Sequence, residues 1–356
     1  MAGDYLAYVG CRTSRERNAR GDGINVFRVA GGAWTHVQTV GELFNPSFLA
    51  FDHGRRTLYA VHGDSTEVSA FRVDPASGRL AFMNRASTHG MNPVHLAVDP
   101  SGRFLVIANH VTTADYASGL AVLALKADGA LGDLADLVPL KGKTGPHRVE
   151  QPFPKPHQVA FDPSGRFVVV PDKGRDVVEA YRLDTDGKLQ LAPGAARAQE
   201  GAGPRHVAFH PKGRFAYVLN ELNSTIEGFG LDPATGALTP FQVTPSLADS
   251  FTGDSRASEI EVSRDGRFVY ASNRGSDTIG AFAIDPRTGR LTARGWRACG
   301  GKTPRFFALS PDGRTLFGAN EESDTITALA VGADGALGEA SQAARVGSPT
   351  CIVFRT

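Results

Sequence analysis

The chain of 356 residues carries 38 basic against 37 acidic side chains, a formal charge of +1, so no global field draws it to nucleic acid or to an anionic membrane surface. No apolar run approaches the roughly 18 residues of a membrane span. Met1 to Gly10 lacks a signal-peptide pattern, and Cys11, Cys299 and Cys351 are an odd, scattered set without disulfide or metal spacing. These features predict a reduced, cytoplasmic protein, a monomer or weak homodimer, with no cofactor, no metal, no nucleic-acid partner and no membrane attachment.

At about 150 residues per domain, length alone would suggest two domains, but repeats override that prior. Tyr5 to Val9 reads as a strand. After it come an irregular stretch, Cys11 to Gly23, and a tight turn at Gly32. From there two turn types alternate. One is Asp-Pro-x-Gly-Arg between apolar runs, at Asp99 to Arg103, Asp162 to Arg166, His210 to Arg214, Arg264 to Arg267 and Pro311 to Arg314, with a degenerate copy at Asp52 to Arg55. The other is Gly-x-Leu at Gly78, Gly129, Gly187, Gly236, Gly289 and Gly335, with Trp34 replacing the leucine after Gly32. The seven glycines of this second series are 46 to 58 residues apart. Both turns sit between β-branched and aromatic runs such as Phe167 to Val170, Phe215 to Leu219 and Thr278 to Ile284.

Each unit therefore supplies four short strands: a, the Gly-Arg turn, b, a loop, c, the Gly-x-Leu turn, and d. That is the period of a propeller blade. Six Gly-Arg turns against seven Gly-x-Leu turns leave one blade whose a–b turn is where the chain begins and ends. Pro349 to Phe354 matches strand a and Tyr5 to Val9 matches strand b, so pairing the two ends closes the ring and removes exposed edges. The prediction is an all-β, seven-bladed β-propeller of four antiparallel strands per blade, spanning 1–356 as one domain.

In such a blade the a–b and c–d turns share one face, and the b–c and d–a loops share the other. The regular glycines fall on the first face. The irregular insertions (Cys11 to Gly23, His110 to Gly119, Val138 to Pro156 and Thr244 to Ala257) fall on the second, where function is expected. Strand a lines the central channel, so its first residues and the last residues of strand b surround the mouth. Strand a begins at Pro46-Ser47, Pro93-Val94, Pro156-His157, Pro204-Arg205, Ser258-Glu259, Pro304-Arg305 and Pro349-Thr350. Strand b ends at Gly10-Cys11, His62-Gly63, Asn109-His110, Asp172-Lys173, Asn220-Glu221, Asn273-Arg274 and Asn320-Glu321. Pro and Asn recur as scaffold; the residue after them changes from blade to blade and is often charged, which architecture does not require.

His157 stands at the mouth, with His147, Arg148 and Lys155 in the loop before it. Arg205 and Arg274 aim at the same opening, where two guanidinium forks suit a carboxylate or phosphate. Glu221 ends strand b of Arg205's own blade and suits an ion pair with it. Arg305, Glu259 and His206 complete the candidate substrate contacts with Lys155. The arginines of the Gly-Arg turns, Arg103, Arg166, Arg214, Arg267 and Arg314, recur on the opposite face and read as structural. His53, His62, His89, His110 and His206 have no metal spacing, Gly21 to Gly23 has no phosphate-loop context, and no nucleophile elbow is present.

Taken together, Pro156-His157-Gln158, Gly203-Pro204-Arg205-His206, Asn220-Glu221-Leu222-Asn223-Ser224-Thr225, Ser272-Asn273-Arg274-Gly275 and Pro304-Arg305-Phe306 resemble the lactonase family of seven-bladed propellers, which includes propeller-type 6-phosphogluconolactonases and 3-carboxy-cis,cis-muconate lactonizing enzymes. The resemblance implies catalytic roles for His157, Arg205, Glu221 and Arg274 on a small anionic lactone or dicarboxylate. Two positions depart from the family pattern: Lys155 stands where a second histidine is frequent, and Glu321 where a glutamine is. The expected chemistry is hydrolysis of a sugar-acid-type lactone. Arg205 and Arg274 hold the anion and stabilise the oxyanion, His157 is the general base with an ordinary pKa of about 6.5, and Glu221 orients a partner or is the alternative base. The rivals are a cycloisomerase forming a lactone from an unsaturated dicarboxylate, a calcium-dependent lactonase, and a non-catalytic interaction propeller. Against the last, the chain has only two tryptophans and no Trp-Asp blade ending.

Overall fold

The computed structural model describes residues 3–356. Seven antiparallel sheets follow one another around a ring, and the strand order within each is the sequential meander expected from the alternating turns. The first blade is the composite one. Its inner strand Pro349–Arg355 pairs with Tyr5–Cys11, which continues to Ile24–Ala30 and Ala33–Val40. The register Ala7↔Phe354, Tyr8↔Val353 and Val9↔Ile352 is the clasp that joins the two ends of the chain.

Strand b of each blade is almost wholly buried, as in Thr57–His62 and Phe268–Arg274. Its side chains are covered by the neighbouring blades on both faces, so the sequence there is a near-continuous apolar run rather than an alternation. Tyrosines on strand b tie each blade to the next. The hydroxyls of Tyr8, Tyr59 and Tyr217 each donate at 2.8 Å to the carbonyls of Gly78, Gly129 and Gly289, and Tyr270 does the same to Gly335 at 3.1 Å. These acceptors are the glycines of the following blade's c–d turn. At Gly335 the backbone has φ +81°, and a Cβ there would lie 2.3 Å from the Phe268 ring. The turn therefore needs glycine for its dihedral and for ring contact alike.

The a–b turns are held by their first residue. Asp99 Oδ1 accepts from the amides of Arg103 and Phe104 at 2.7 Å, and Asp162 Oδ1 does so from Arg166 and Phe167 at 3.0 and 2.9 Å. This is why aspartate, or serine in the later copies, recurs at that position.

Blade four departs from the expected regularity at both edges. Its inner strand is regular only over Ala160–Phe161, although Pro156 still bridges Asp172 and the His157 amide donates to Pro171 at 3.0 Å. Prolines at 154 and 156 remove donors from the ladder. Its outer strand is broken into Leu189–Leu191 and Ala196–Arg197, both pairing Val177–Leu183. Strand a begins earlier than expected in blades three and six, at Met91 and Arg256. Among the described residues the single helical element is a 3-10 turn, Arg15–Arg17, inside the first irregular insertion.

Candidate active site

Residues from all seven blades line a cavity of about 270 Å³ at the mouth of the channel. Strand-a starts contribute Ser47, Val94, His157, Arg205, Arg305 and Thr350; strand-b ends contribute Gly63, His110, Lys173, Glu221 and Arg274. Each irregular insertion also reaches the wall: Arg12 and Arg17 from the first, His110 from the second, Glu150 from the third and Arg256 from the fourth. Seven basic side chains (Arg12, Arg17, Lys173, Arg205, Arg256, Arg274 and Arg305) face three carboxylates (Asp64, Glu150 and Glu221). A chain that is neutral as a whole thus keeps a cationic surplus in one enclosed place, where low dielectric strengthens its pull on an anion.

Glu221 is the hub. Lys173 Nζ lies 2.7 Å from Oε1; Arg205 Nε and Arg274 Nη2 lie 3.1 and 3.4 Å from Oε2. Burial alone would raise this carboxyl, but Lys173, Arg274 and Arg205 outweigh it and hold it well below its ordinary value. An anion so tightly compensated is a weak proton acceptor, so its geometry is that of a positioning group rather than a base. Glu150 forms a second bridge, 2.9 Å from Lys173 Nζ and 2.6 Å from Arg256 Nη1. Lys173 and Arg256 together bring Glu150 down to about 2 against the opposing effect of burial.

Local structure fixes these side chains. Buried Asp172 accepts through Oδ1 from the amides of Lys155, Gly174 and Arg175 at 2.8, 2.9 and 3.1 Å, which folds the turn behind Lys173. Gln151 Nε2 donates to the Lys173 carbonyl at 2.8 Å and to Asp176 at 2.7 Å, pinning the insertion next to Glu150.

Four histidines form an edge-to-face chain along the channel: His110 to His157 at 5.0 Å, His157 to His206 at 5.2 Å and His206 to His95 at 5.7 Å between ring centroids. Burial first, and Arg205 second, hold both His157 and His206 well below the ordinary imidazole value, so both are neutral at working pH. His157 Nδ1 is buried with no hydrogen-bond partner among the described residues. His206 Nδ1, by contrast, lies 3.0 and 3.1 Å from the two oxygens of Glu259. Burial raises that carboxyl to about 8 against the pull of Arg205. Burial, with Arg274 beside it, brings Arg205 down to about 9, still charged at neutral pH.

Across the mouth, Glu321 accepts the charge of Arg12 at 3.0 Å and of Arg305 at 3.6 Å, and Arg17 grips Asp64 through Nε at 2.7 Å. The glutamate at this family-variable position is therefore a counter-ion for two cavity arginines. Arg305 makes no side-chain hydrogen bond among the described residues, which leaves its fork open to a ligand.

Of the residues expected at the site, His157, Arg205, Glu221, Arg274, Arg305 and His206 line this one cavity. Lys155 and Glu259 lie outside its wall. Lys155 Nζ rests 4.9 Å from the Phe153 ring centre, and Glu259 sits behind His206. His147 and Arg148 are exposed on the insertion. Lys173, Glu150, Arg256, Arg12 and Arg17 were not singled out from sequence. Lys173 holds the same strand-b end as Glu221 and Arg274, so its position was a usable signal; the others sit in insertions whose path no repeat dictates. Among the described residues no group of three or more His, Cys, Asp or Glu is placed to hold a metal ion.

Comparison with known proteins agrees with this architecture. The Bacillus subtilis protein called 6-phosphogluconolactonase is 33% identical over 312 residues, 86% of this chain and 85% of its own. One of the same name from Formosa agariphila is 28% identical, covering 82% and 83%. Among solved structures, the Pseudomonas aeruginosa periplasmic gluconolactonase superposes with a TM-score of 0.90 at 30% identity over 99% of both chains. The family model described as "Lactonase, 7-bladed beta-propeller" matches residues 6–354, and the chain belongs to that family.

Proposed function

We propose that this protein hydrolyses a small anionic lactone of the sugar-acid type in the mouth cavity. The observation that carries the reading is the convergence of Arg205 and Arg274 on one carboxylate, Glu221, inside a cavity with surplus positive charge. Two guanidinium groups held by a shared counter-ion form a preorganised anion clamp, and they need no reorganisation when a carbonyl oxygen becomes an oxyanion. The relatives' names and the periplasmic gluconolactonase structure support the same reaction class.

In this mechanism the substrate's phosphate or carboxylate takes the cationic wall, and a neutral imidazole on the cavity floor accepts the proton of the attacking water. The oxyanion collapses with cleavage of the ring C–O bond, and the same imidazole returns the proton to the departing oxygen. The resemblance assigns the imidazole part to His157. Arg12, Arg17 and Arg305 on the opposite wall suit a second anionic group on the substrate. We place the enzyme in the cytoplasm, where its free buried thiols, Cys11, Cys299 and Cys351, stay reduced.

The test is acid release by purified protein from 6-phosphogluconolactone, from gluconolactone and from a panel of other lactones, above spontaneous hydrolysis. Enzyme-dependent release supports the reading. Ultraviolet change with a carboxymuconate but no lactone turnover would replace it with cycloisomerisation, and a stoichiometric protein partner without either activity would make the protein an interaction module.

A further inference from the structure

We infer that His206, oriented by Glu259, is the proton-accepting imidazole of this site, and that Arg205 and His206 form one catalytic unit. The inference rests on the hydrolase reading above and assigns its base.

The geometry singles His206 out from its neighbours. His206 Nδ1 is bound by both oxygens of Glu259, which comes from strand a of the adjacent blade, Arg256–Val262. Glu259 is itself held: the Ile260 amide donates to Oε1 at 3.0 Å, and the Ser272 hydroxyl accepts the Glu259 amide at 3.0 Å. On the other side of the ring, Arg205 Nη1 lies 3.4 Å from His206 Nε2. A guanidinium can only donate, so Nε2 is the acceptor and Nδ1 carries the hydrogen toward Glu259. That tautomer leaves the Nε2 lone pair directed at the group that binds the anion. Glu259, which burial raises to about 8, is a carboxylate above that value, and there a carboxylate on one imidazole nitrogen with a reacting atom at the other fixes orientation and stabilises the imidazolium as it forms.

His157 has none of this. Its Nδ1 is orphaned, and its ring is held by edge-to-face packing between His110 and His206. His110 is tied through Nδ1 to the Pro156 carbonyl at 3.1 Å, and His95 Nδ1 is buried with no hydrogen-bond partner among the described residues. Among the described residues, His206 is the one histidine of these four with a carboxyl group on a ring nitrogen.

The reaction balances without a co-reactant. Substrate displaces the long Arg205–His206 contact, and water donates a proton to His206 Nε2 as its oxygen bonds to the lactone carbonyl carbon. The carbonyl π electrons pass to the oxygen facing Arg205. When they return, the ring C–O bond breaks, and the imidazolium gives its proton to the departing ring oxygen, which becomes the free hydroxyl. Lactone and water become one hydroxy acid, and His206 is regenerated. Glu259 touches no substrate and acts as a positioning residue.

The experiment compares H206Q, H157Q and E259Q with wild type on 6-phosphogluconolactone and gluconolactone, reading kcat and KM separately and checking each fold by circular dichroism. H206Q is expected to lose on the order of 10²–10⁴-fold in kcat, the usual range for a general base, with KM little changed. E259Q is expected to lose about 10–100-fold in kcat, the range typical of an orienting carboxylate, again with KM little changed. H157Q, which alters a ring packed against His206 in the same cavity, is expected to lose less in kcat than H206Q does. Added imidazole should restore turnover to H206A, and E259D should recover part of what E259Q loses. Wild-type kcat in a folded H206Q, or abolition by H157Q while H206Q stays active, overturns the assignment. If wild type turns over neither lactone nor any other in the panel, the hydrolase reading falls and takes the assignment with it.

Discussion

Arginines on the two faces of the ring are the same residue in opposite employment. On the turn face they are exposed, and three of them reach across to the next blade. Arg214 donates to the Pro286 carbonyl at 2.6 Å and Arg267 to Ala333 at 2.7 Å, each reaching the next blade's c–d turn; Arg166 reaches Pro233 in the same way. Their guanidinium carbons stack 5.2 and 4.9 Å above Phe215 and Phe268. At the mouth, Arg205, Arg274 and Arg305 are largely removed from water and pair with carboxylates, Arg205 also donating to the Ser258 carbonyl and Arg274 to that of Ala257 at 3.1 Å. Repetition marks scaffold here, whereas burial of unrepeated charge marks the candidate site. Charge in water costs little to place; charge in a cavity is retained only where geometry compensates it.

Removing the hub should break that contrast most severely. E221Q leaves Lys173, Arg205 and Arg274 facing one another without their shared anion, and a loss of about 3–5 kcal/mol of stability is expected from uncompensated buried charge. Urea denaturation measures it. R205Q or R274Q should lower kcat/KM for a lactone by on the order of 10²–10³-fold, as loss of one oxyanion donor does. Steady-state assays on folded protein check that value, and wild-type turnover in both variants would remove this site.

R305Q tests the open fork. Losing a charged hydrogen-bond donor of about 1.5–3 kcal/mol should raise KM roughly 10–100-fold for a phosphorylated lactone and much less for its unphosphorylated counterpart. Equal changes for both would show that Arg305 does not touch the second anion.

Acid should act on the mouth before the turn face. Glu150 is held at about 2 and Glu221 is also depressed, so their ion pairs contribute stability above the ordinary carboxylate value near 4.5. That contribution is lost as pH falls from there toward 2. A plot of Tm against pH should steepen below 4.5 in wild type and flatten in E150Q. The smallest effect is reserved for the turn face: R214Q should cost under about 1 kcal/mol, the range of an exposed ion or cation–π contact, and leave kcat unchanged.

Much of this molecule was legible in advance because blades repeat. Seven Gly-x-Leu turns against six Gly-Arg turns gave the blade number, and the missing turn located the clasp between Tyr5–Cys11 and Pro349–Arg355. The mouth residues were legible for a related reason, since His157, Arg205, Glu221, Arg274 and Arg305 hold equivalent positions in a period that is otherwise filled by scaffold. Sequence alone determined this much because turn dihedrals and strand burial are local demands that each blade must meet for itself. Tertiary structure alone decided that Glu150 and Arg256 meet across 106 residues, that Glu259 supports His206 from the neighbouring blade, and that Lys155 turns to Phe153 instead of the cavity. Those outcomes depend on how separate blades and insertions face each other across the axis, and pairing of charges through space leaves no period in the chain.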